Sequence, residues 1–216
     1  MSFKQKMTAD LLFGVQIVCT LIFGGSQFLR MLTTSQGVSI SWYGSWEVFL
    51  LLNLVLAIRA HRNQASRVTF QVVMSYVLWV VMVTLDLGVM VAKNMGTWNG
   101  RDTATALCAA VGVATTLVVA SHKRLAITDP MVKGYLAIFF KAVPQLILAY
   151  NVFMVGGNGL AAVAVATGHV TIFIRLGQLF FSIREAGWDR NRIGSAISEI
   201  ANETSWIIVT IIWFFR

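Results

Sequence analysis

The chain has 216 residues, of which 57% are hydrophobic and 12% are charged, and its mean hydropathy is +0.73. A soluble domain of this size needs a more polar surface, so this composition excludes a soluble globular protein and predicts an integral membrane protein. The formal net charge of +8 does not indicate a nucleic-acid partner, because the basic residues are spread over several loops and form no single stripe.

Seven apolar segments are long enough to cross a bilayer, whose hydrocarbon core of roughly 30 Å needs about 20 residues per helix. They cover approximately 9–30, 40–60, 67–92, 102–121, 131–154, 160–183 and 196–215. We therefore predict an all-α membrane protein with seven transmembrane helices and short loops. The sequence has no metal-ligand cluster, phosphate-binding loop or nucleophilic triad, so we expect no enzyme, metal or cofactor.

The basic residues between the segments fall mostly on one side of the predicted membrane. Four lie on the other side: Arg30, Lys93, Arg101 and Arg216. Eleven lie on the side of the N-terminus: Lys4, Lys6, Arg59, Arg62, Arg67, Lys123, Arg124, Lys133, Arg184, Arg190 and Arg192. The positive-inside bias then predicts a cytoplasmic N-terminus and an outside C-terminus in a bacterial-type inner or plasma membrane.

The first three segments carry polar faces that are expected to meet other helices. Segment one has Gln16, Thr20, Gly24 and Gln27 at helical spacing, and segment three has Gln71, Ser75 and Trp79 at successive i+4 steps. Trp42, at the start of segment two, is expected to be an anchor at the membrane interface. Segment four is rich in small residues and contains no ionisable side chain between 104 and 120, so it is interpreted as a connector.

Segment five contains Pro144 followed by Gln145. Proline removes one backbone hydrogen bond and clashes with the preceding turn, so this position is predicted to be a weak point where the helix bends. Gln145 stands beside the freed carbonyl groups and is a candidate partner for them. The functional interpretation is a gating hinge, and the alternative is a static kink.

The last two segments are the most polar. One face of segment six carries Gly168, Thr171, Arg175 and Gln178, and one face of segment seven carries Glu199, Asn202, Glu203, Trp206, Thr210 and Trp213. Arg175 is expected either to neutralise one of the glutamates or to meet an anionic substrate group, and a structural ion pair is favoured. Glu199 and Glu203 are candidates for proton coupling, with His169 a weaker one.

The two halves of the chain share short features in the same order. Ile58-Arg59 and Arg67-Val68 recur 125 residues later as Ile183-Arg184 and Arg192-Ile193, and Trp79 corresponds to Trp206. We interpret this as an internal repeat of two three-helix bundles, residues 1–95 and 128–216, joined by a linker helix within 96–127. A single linker helix makes the two bundles parallel.

Pro144-Gln145, with the weaker Ser26-Gln27 and Gly37-Val38-Ser39, resembles the PQ-loop proteins, which include the SWEET sugar transporters, cystinosin-type exporters and the KDEL receptor. The resemblance implies that Gln27, Pro144 and Gln145 mark hinges and that Asn202, with Ser75 as its first-half counterpart, lines a central cavity. Asn53 stands near the place where the family often has a Trp, so the sugar pocket of SWEETs is not reproduced residue for residue. SWEETs also place the N-terminus outside, and bacterial nicotinamide riboside transporters share the three-one-three layout.

These observations predict a secondary transporter or facilitator that moves a small polar solute, such as a sugar, an amino acid or a nucleoside-like molecule, by alternating access. Trp79 and Trp206 would form flat walls, and the other binding residues would be Asn53, Ser75, Arg175, Gln178 and Asn202. The expected partners are the solute and the lipid bilayer, and a homo-oligomer is left open. The alternative is a membrane receptor or sorting protein on the same layout.

Overall fold

Seven long helices account for most of the chain in the computed structural model, which describes residues 3–93 and 98–216. Within these two ranges the regular secondary structure is entirely helical. In chain order they are α1 (Phe3–Met31), α2 (Ile40–Asn63), α3 (Arg67–Ala92), α4 (Gly100–His122), α5 (Pro130–Val155), α6 (Ala162–Ala186) and α7 (Arg190–Phe214). Each coincides with one of the seven predicted segments.

Six of these helices, α1 to α6, are long and apolar enough to cross a membrane in the part of the chain that the structure describes. The protein is therefore a helical integral membrane protein, as its composition predicts. Helix α7 has 25 residues, which is sufficient length, but it is not among the six. Its sequence carries Glu199, Asn202 and Glu203 within three turns, and these lower its hydropathy.

The outer surface of the helices is apolar. Leu11 is 67% exposed, Val118 is 68% exposed and Phe181 is 67% exposed, on three different helices. A soluble protein would hide such side chains, whereas the acyl chains of a bilayer solvate them.

Polar residues cap the N-terminal ends of several helices. Ser66 and Asn99 form capping boxes at the starts of α3 and α4, and Asp129 accepts from the backbone of Met131 at the start of α5. These side chains satisfy amide groups that have no partner inside the helix. Asp102 also accepts from Ser39 at 2.7 Å, which ties the start of α4 to the start of α2.

The helices pack in the same order in both halves of the chain. Helix α3 packs against both α1 and α2, and α7 packs against both α5 and α6. Between the halves, α1 packs against α6 and α2 packs against α5, while α4 contacts α2 and α5.

Helix α5 is not regular. Its α-helical parts, Pro130–Ala137 and Val143–Val155, are separated by a π-helical turn over Ile138–Ala142. The turn ends two residues before Pro144, whose ring would clash with the carbonyl group four residues earlier in a regular helix. The helix is thus irregular at the position where the sequence predicts a weak point.

Aromatic side chains fill much of the core between the halves. Trp42 is 2% exposed, Trp79 is 5% exposed and Trp206 is 3% exposed. The expectation that Trp42 anchors α2 at the membrane interface is therefore wrong. Its ring stacks on Trp206 of α7 at 6.0 Å, and burial between two aromatic rings outweighs the preference for the interface.

Candidate functional site

A cavity of about 360 Å³ lies between helices α1 to α3 and helices α5 to α7. All six of these helices contribute side chains to its wall. Its size and its position between the two halves match those of a pocket for a small molecule.

One end of the cavity, which we call the aromatic end, is formed by Phe23, Trp42, Trp46, Trp79 and Trp206. The ring centroids of Trp46 and Trp79 are 5.2 Å apart, and those of Phe23 and Trp79 are 5.4 Å apart. The rings are in van der Waals contact with one another, so the aromatic end is a rigid, flat-sided wall.

Gly168 makes room for this wall. A Cβ atom at Gly168 would lie 2.7 Å from Nε1 of Trp206, which is closer than two such atoms can approach. Trp206 Nε1 donates to the carbonyl oxygen of Val165 at 3.3 Å, which fixes the orientation of the indole ring. The absence of a side chain at Gly168 therefore sets the position of Trp206 in the cavity.

Charged side chains line the middle of the cavity. Arg175 Nη1 lies 3.7 Å from Glu199 Oε1, so the expected pair between Arg175 and a glutamate is present, although it is long. Lys141 lies in the π-helical turn of α5, is 8% exposed, and places its Nζ 5.8 Å from the ring centroid of Phe49. Two cations and one carboxylate thus face the same space.

Polar groups next to these charges form a network between α5 and α7. Gln145 Nε2 donates to Asn202 Oδ1 at 3.2 Å, and Gln145 Oε1 accepts from Ser205 Oγ. The sequence suggests that Gln145 binds the backbone carbonyls freed by Pro144. In the structure its side chain instead binds two side chains of α7. Asn53, on the opposite wall, donates to its own helix at the carbonyl oxygen of Phe49.

The cavity reaches the surface at the end where the α4–α5 and α6–α7 loops lie. Thr128 and Asn191 line it there and are exposed, and Lys133 is half-buried beside them. A second, more open hollow adjoins this mouth and shares Arg175 and Glu199 with the cavity. The cavity is therefore open at this end.

The opposite end is closed by contacts between the α1–α2 loop and the α5–α6 loop, which we call the loop latch. Gln36 accepts from Gly159 N at 2.8 Å through its backbone, and its side chain donates to Val155 O and accepts from Asn158 Nδ2 at 2.9 Å. Gln27 donates to Gly159 O at 2.7 Å and accepts from the backbone amide of Ala161 at 3.0 Å. The latch therefore buries this end under a network of hydrogen bonds.

Glycine is required where the two loops touch. Gly37 and Gly156 have φ values of 81° and 85°, which L-residues with a side chain rarely adopt. A Cβ atom at Gly37 would overlap the carbonyl oxygen of Gly156. The Gly37-Val38-Ser39 stretch and the glycine-rich stretch of residues 156–159 thus meet each other directly.

The structure brings most of the predicted binding residues to one cavity. Those that line it are Asn53, Trp79, Arg175, Asn202 and Trp206. Gln145, predicted as a hinge residue, and Glu199, predicted as a candidate for proton coupling, line it as well. Gln178 is exposed and lines only the adjoining hollow, and Ser75 is half-buried on α3 and lines neither space. Helix α3 presents Trp79, one turn further along, in place of Ser75.

Three other predicted residues lie away from the cavity. Gln27 belongs to the loop latch, and Pro144 is buried within α5 next to the π-helical turn. Glu203 pairs with His169, with 2.8 Å between Oε1 and Nδ1, and the other ring nitrogen of His169 lies 2.9 Å from Thr210 Oγ1. This pair sits behind Trp206, whose ring centroid is 6.3 Å from that of His169.

Several cavity residues were not predicted as binding residues from the sequence. They are Phe23, Trp42, Trp46, Tyr76 and Lys141. A signal existed for some of them, because Trp42 and Trp46 are one turn apart on the same face of α2, and Lys141 interrupts an apolar segment. These sequence features did not determine which helix faces line the interior of the bundle.

No family model matches the chain, and no curated protein or solved structure matches it either. The likeness to PQ-loop proteins therefore remains a resemblance of short motifs and helix order. The functional conclusion depends on the geometry of the cavity and of the loop latch.

Proposed function

We propose that this protein is a secondary transporter or facilitator that carries a small polar solute across the membrane by alternating access. The observation that carries the proposal is a central cavity that is open at one end and closed at the other by the loop latch. A binding site with access from one side at a time is the basic requirement of alternating access.

The packing order of the helices supports two parallel three-helix bundles, α1–α3 and α5–α7, joined by α4. In each half the third helix lies against the first and the second. Across the halves, the first helix of each bundle packs against the second helix of the other. These reciprocal contacts are what a twofold axis along the membrane normal would produce.

In this proposal α7 is the seventh transmembrane helix. Its polar residues Ser198, Glu199 and Asn202 line the cavity, so they do not meet lipid. Polar side chains within a membrane commonly face a bundle interior or a water-filled space. A low hydropathy in α7 is thus compatible with a span whose polar face is turned inward.

The loop latch would open when one bundle rocks against the other. The two loops that form it connect the first and second helices of their bundles, so they hold equivalent places in the proposed repeat. With the orientation predicted by the basic residues, the latch lies outside and the open mouth faces the cytoplasm. The state of the structure would then be open to the inside.

Helix α5 contains a local irregularity at which it could bend when the bundles rock. The π-helical turn over Ile138–Ala142 and Pro144 next to it interrupt the regular hydrogen bonding of the helix. Gln145 fixes the segment after the turn to Asn202 of α7. We propose that the turn is the hinge, and that α1, which has no proline, moves with less bending.

If transport is coupled to protons, Glu199 is the carboxylate best placed to respond to the solute, because it lines the cavity beside Arg175. Glu203 is a second candidate, since it forms a pair with His169 at 2.8 Å directly behind Trp206 of the cavity wall. Flux measured with and without a pH gradient distinguishes coupling from facilitated diffusion.

The experiment is a flux assay on protein reconstituted in liposomes, with labelled sugars, amino acids, nucleosides and small aromatic acids. We expect saturable uptake of at least one class, and a loss of about tenfold or more for Asn202→Ala, which removes the partner of Gln145 in the cavity wall. Lys123→Gln, in an exposed loop, is the control and should keep wild-type flux. Folded protein that transports nothing would contradict the proposal, and saturable binding without flux would favour the receptor alternative.

A further inference from the structure

The described cavity wall has an excess of positive charge. Its basic members are Lys133, Lys141 and Arg175, and its acidic member is Glu199. One carboxylate therefore faces three cationic side chains in a space that is walled largely by protein. Electrostatic interactions are strong in such a place, because the surroundings screen them less than bulk water does.

Glu199 does not satisfy these cations. Its Oε1 is 3.7 Å from Arg175 Nη1, whereas a direct charged hydrogen bond is about 2.7–2.9 Å long. Its Oε2 is buried and has no hydrogen-bond partner among the described residues. Arg175 is therefore held near the carboxylate and still has donors that are free for another acceptor.

Lys141 is more weakly partnered than Arg175. Within the described ranges it forms no hydrogen bond or ion pair, and its ammonium group lies over the face of the Phe49 ring. Glu199 shares the cavity with Lys141 but forms no direct ion pair with it. A buried ammonium group that lacks a directly paired counter-ion is costly, and the cavity is the space into which such a partner can come. The π-helical turn places Lys141 on this wall.

The aromatic end offers a further unused donor next to flat rings. Trp79 Nε1 is buried and has no hydrogen-bond partner in the described part of the chain. The ring of Trp79 is 5.2 Å from that of Trp46, and both line the cavity. A planar group with a hydrogen-bond acceptor would fill this end better than an aliphatic chain would.

We propose that the solute is a small organic anion with a planar ring, whose carboxylate or phosphate group is bound by Lys141 and Arg175 and whose ring packs against Trp46 and Trp79. This inference rests on the proposed transport function and names its solute class. An anion lowers the excess of positive charge, whereas a cationic solute would add to it. Arg175 suits a planar carboxylate or a phosphate equally well.

The test uses four probes that share one ring and differ in charge: phenylacetate, phenyl phosphate, phenylacetamide and phenethylamine. Binding to the purified protein in nanodiscs is measured by calorimetry. We expect each anion to bind at least about tenfold more tightly than the neutral amide, and the amine to bind most weakly, because the wall is cationic. The order of the two anions distinguishes a carboxylate site from a phosphate site.

Variants test whether the preference comes from Lys141. Lys141→Gln should reduce anion affinity about tenfold and leave the amide unchanged, and Lys141→Arg should restore the preference. The control is Lys123→Gln, which makes the same charge change in an exposed loop outside the cavity. If Lys141→Gln does not fold, the probe series on the wild-type protein decides alone.

The proposal is overturned if the amide or the amine binds as tightly as the anions, if none of the four probes binds, or if Lys141→Gln keeps the full preference. Flux in liposomes separates this inference from the proposed function. Transport of neutral or cationic solutes with exclusion of anions would leave a transporter and overturn the anion site. Anion binding that depends on Lys141, without flux of any solute, would retain the site and overturn the transporter.

Discussion

At the scale of single residues, the cavity depends on positions where a side chain is missing. Gly168 on α6 faces the buried ring of Trp206, and that ring also stacks on Trp42 with 6.0 Å between the ring centroids. Trp206 therefore cannot move away from α6 without displacing another aromatic ring. Even a methyl group at position 168 would therefore change the packing of the rings at the aromatic end.

Gly168→Ala tests this directly. The added methyl group forces Trp206 out of its place, so we expect a loss of about 1–3 kcal/mol in the free energy of unfolding and weaker solute binding. Gly177→Ala is the matched control, since it lies on the same helix and its new Cβ atom would have no heavy atom of another part of the chain within 4 Å. The control should gain stability by up to about 1 kcal/mol, because alanine favours the helix. Equal stability of the two variants in thermal unfolding would contradict the close packing of Gly168 on Trp206.

At the scale of elements, the loop latch and the π-helical turn are the two parts that a conformational change must alter. The latch holds one end of the cavity closed through side chains of the α1–α2 loop. The turn lies in the helix that carries Lys141 and Gln145 into the cavity. Gln36 in the latch and Pro144 beside the turn do not line the cavity, so each part can be altered through a residue outside the cavity wall.

Gln36→Ala removes the two hydrogen bonds that the Gln36 side chain forms in the latch. Each such bond contributes about 1 kcal/mol, so the closed end should open more often, by about tenfold or more. Leu160→Cys, buried behind the latch at 4% exposure, reports this opening through its rate of modification by a water-soluble maleimide. The background carries Cys19→Ala and Cys108→Ala.

The control for the latch is Gln64→Ala, in an exposed loop at the other end of the helices. It removes the same side chain and should leave the labelling rate of Leu160→Cys unchanged. A latch that closes the cavity cannot give equal rates for Gln36→Ala and the wild-type protein.

Pro144→Ala should convert a flexible helix into a stiffer one. Alanine lacks the ring that clashes with the preceding turn and restores a backbone N–H donor, so we expect a higher thermal midpoint and slower flux. Hydrogen exchange over Ile138–Ala142 should slow as well, because the turn can close into regular α-helix. Pro130→Ala makes the same substitution at the first position of α5, where proline costs little, and should leave hydrogen exchange over Ile138–Ala142 unchanged. Unchanged flux in Pro144→Ala would favour a static kink over a hinge.

At the scale of the whole molecule, the number of spans decides on which sides of the membrane the termini lie. Seven spans place the termini on opposite sides, and six place them on the same side. The polar face of α7 lines the cavity, so we expect this helix to span the membrane with the other six.

Fusion reporters measure this topology. Alkaline phosphatase fused after Arg216 should be active, because that enzyme folds only outside the cytoplasm, and green fluorescent protein at the same place should be dark. Fusions placed after Leu125, in the α4–α5 loop, should give the reverse result, since this loop carries basic residues on the predicted cytoplasmic side. Activity of the phosphatase at Leu125 and not at Arg216 would reverse the proposed orientation, and equal behaviour of both sites would exclude α7 as a span.

The sequence by itself determined the class of protein, the places of the helices and the break in α5. Each of these follows from local properties: composition, the length of apolar runs, and the missing amide and bulky ring of Pro144. Local spacing also identified the polar face of α7, which brings Glu199, Asn202 and Trp206 to the cavity.

Only the tertiary structure decided which inward faces meet and at what depth. Spacing fixes the residues that share a helix face, but the rotation of that helix in the bundle depends on contacts with residues more than 100 positions away. Trp42 is therefore buried against Trp206 instead of lying at the interface, and Trp79 reaches the cavity while Ser75 does not. The contact between Gln36 and Asn158 in the latch also depends on the tertiary structure, because the two residues lie in loops that are far apart in the sequence.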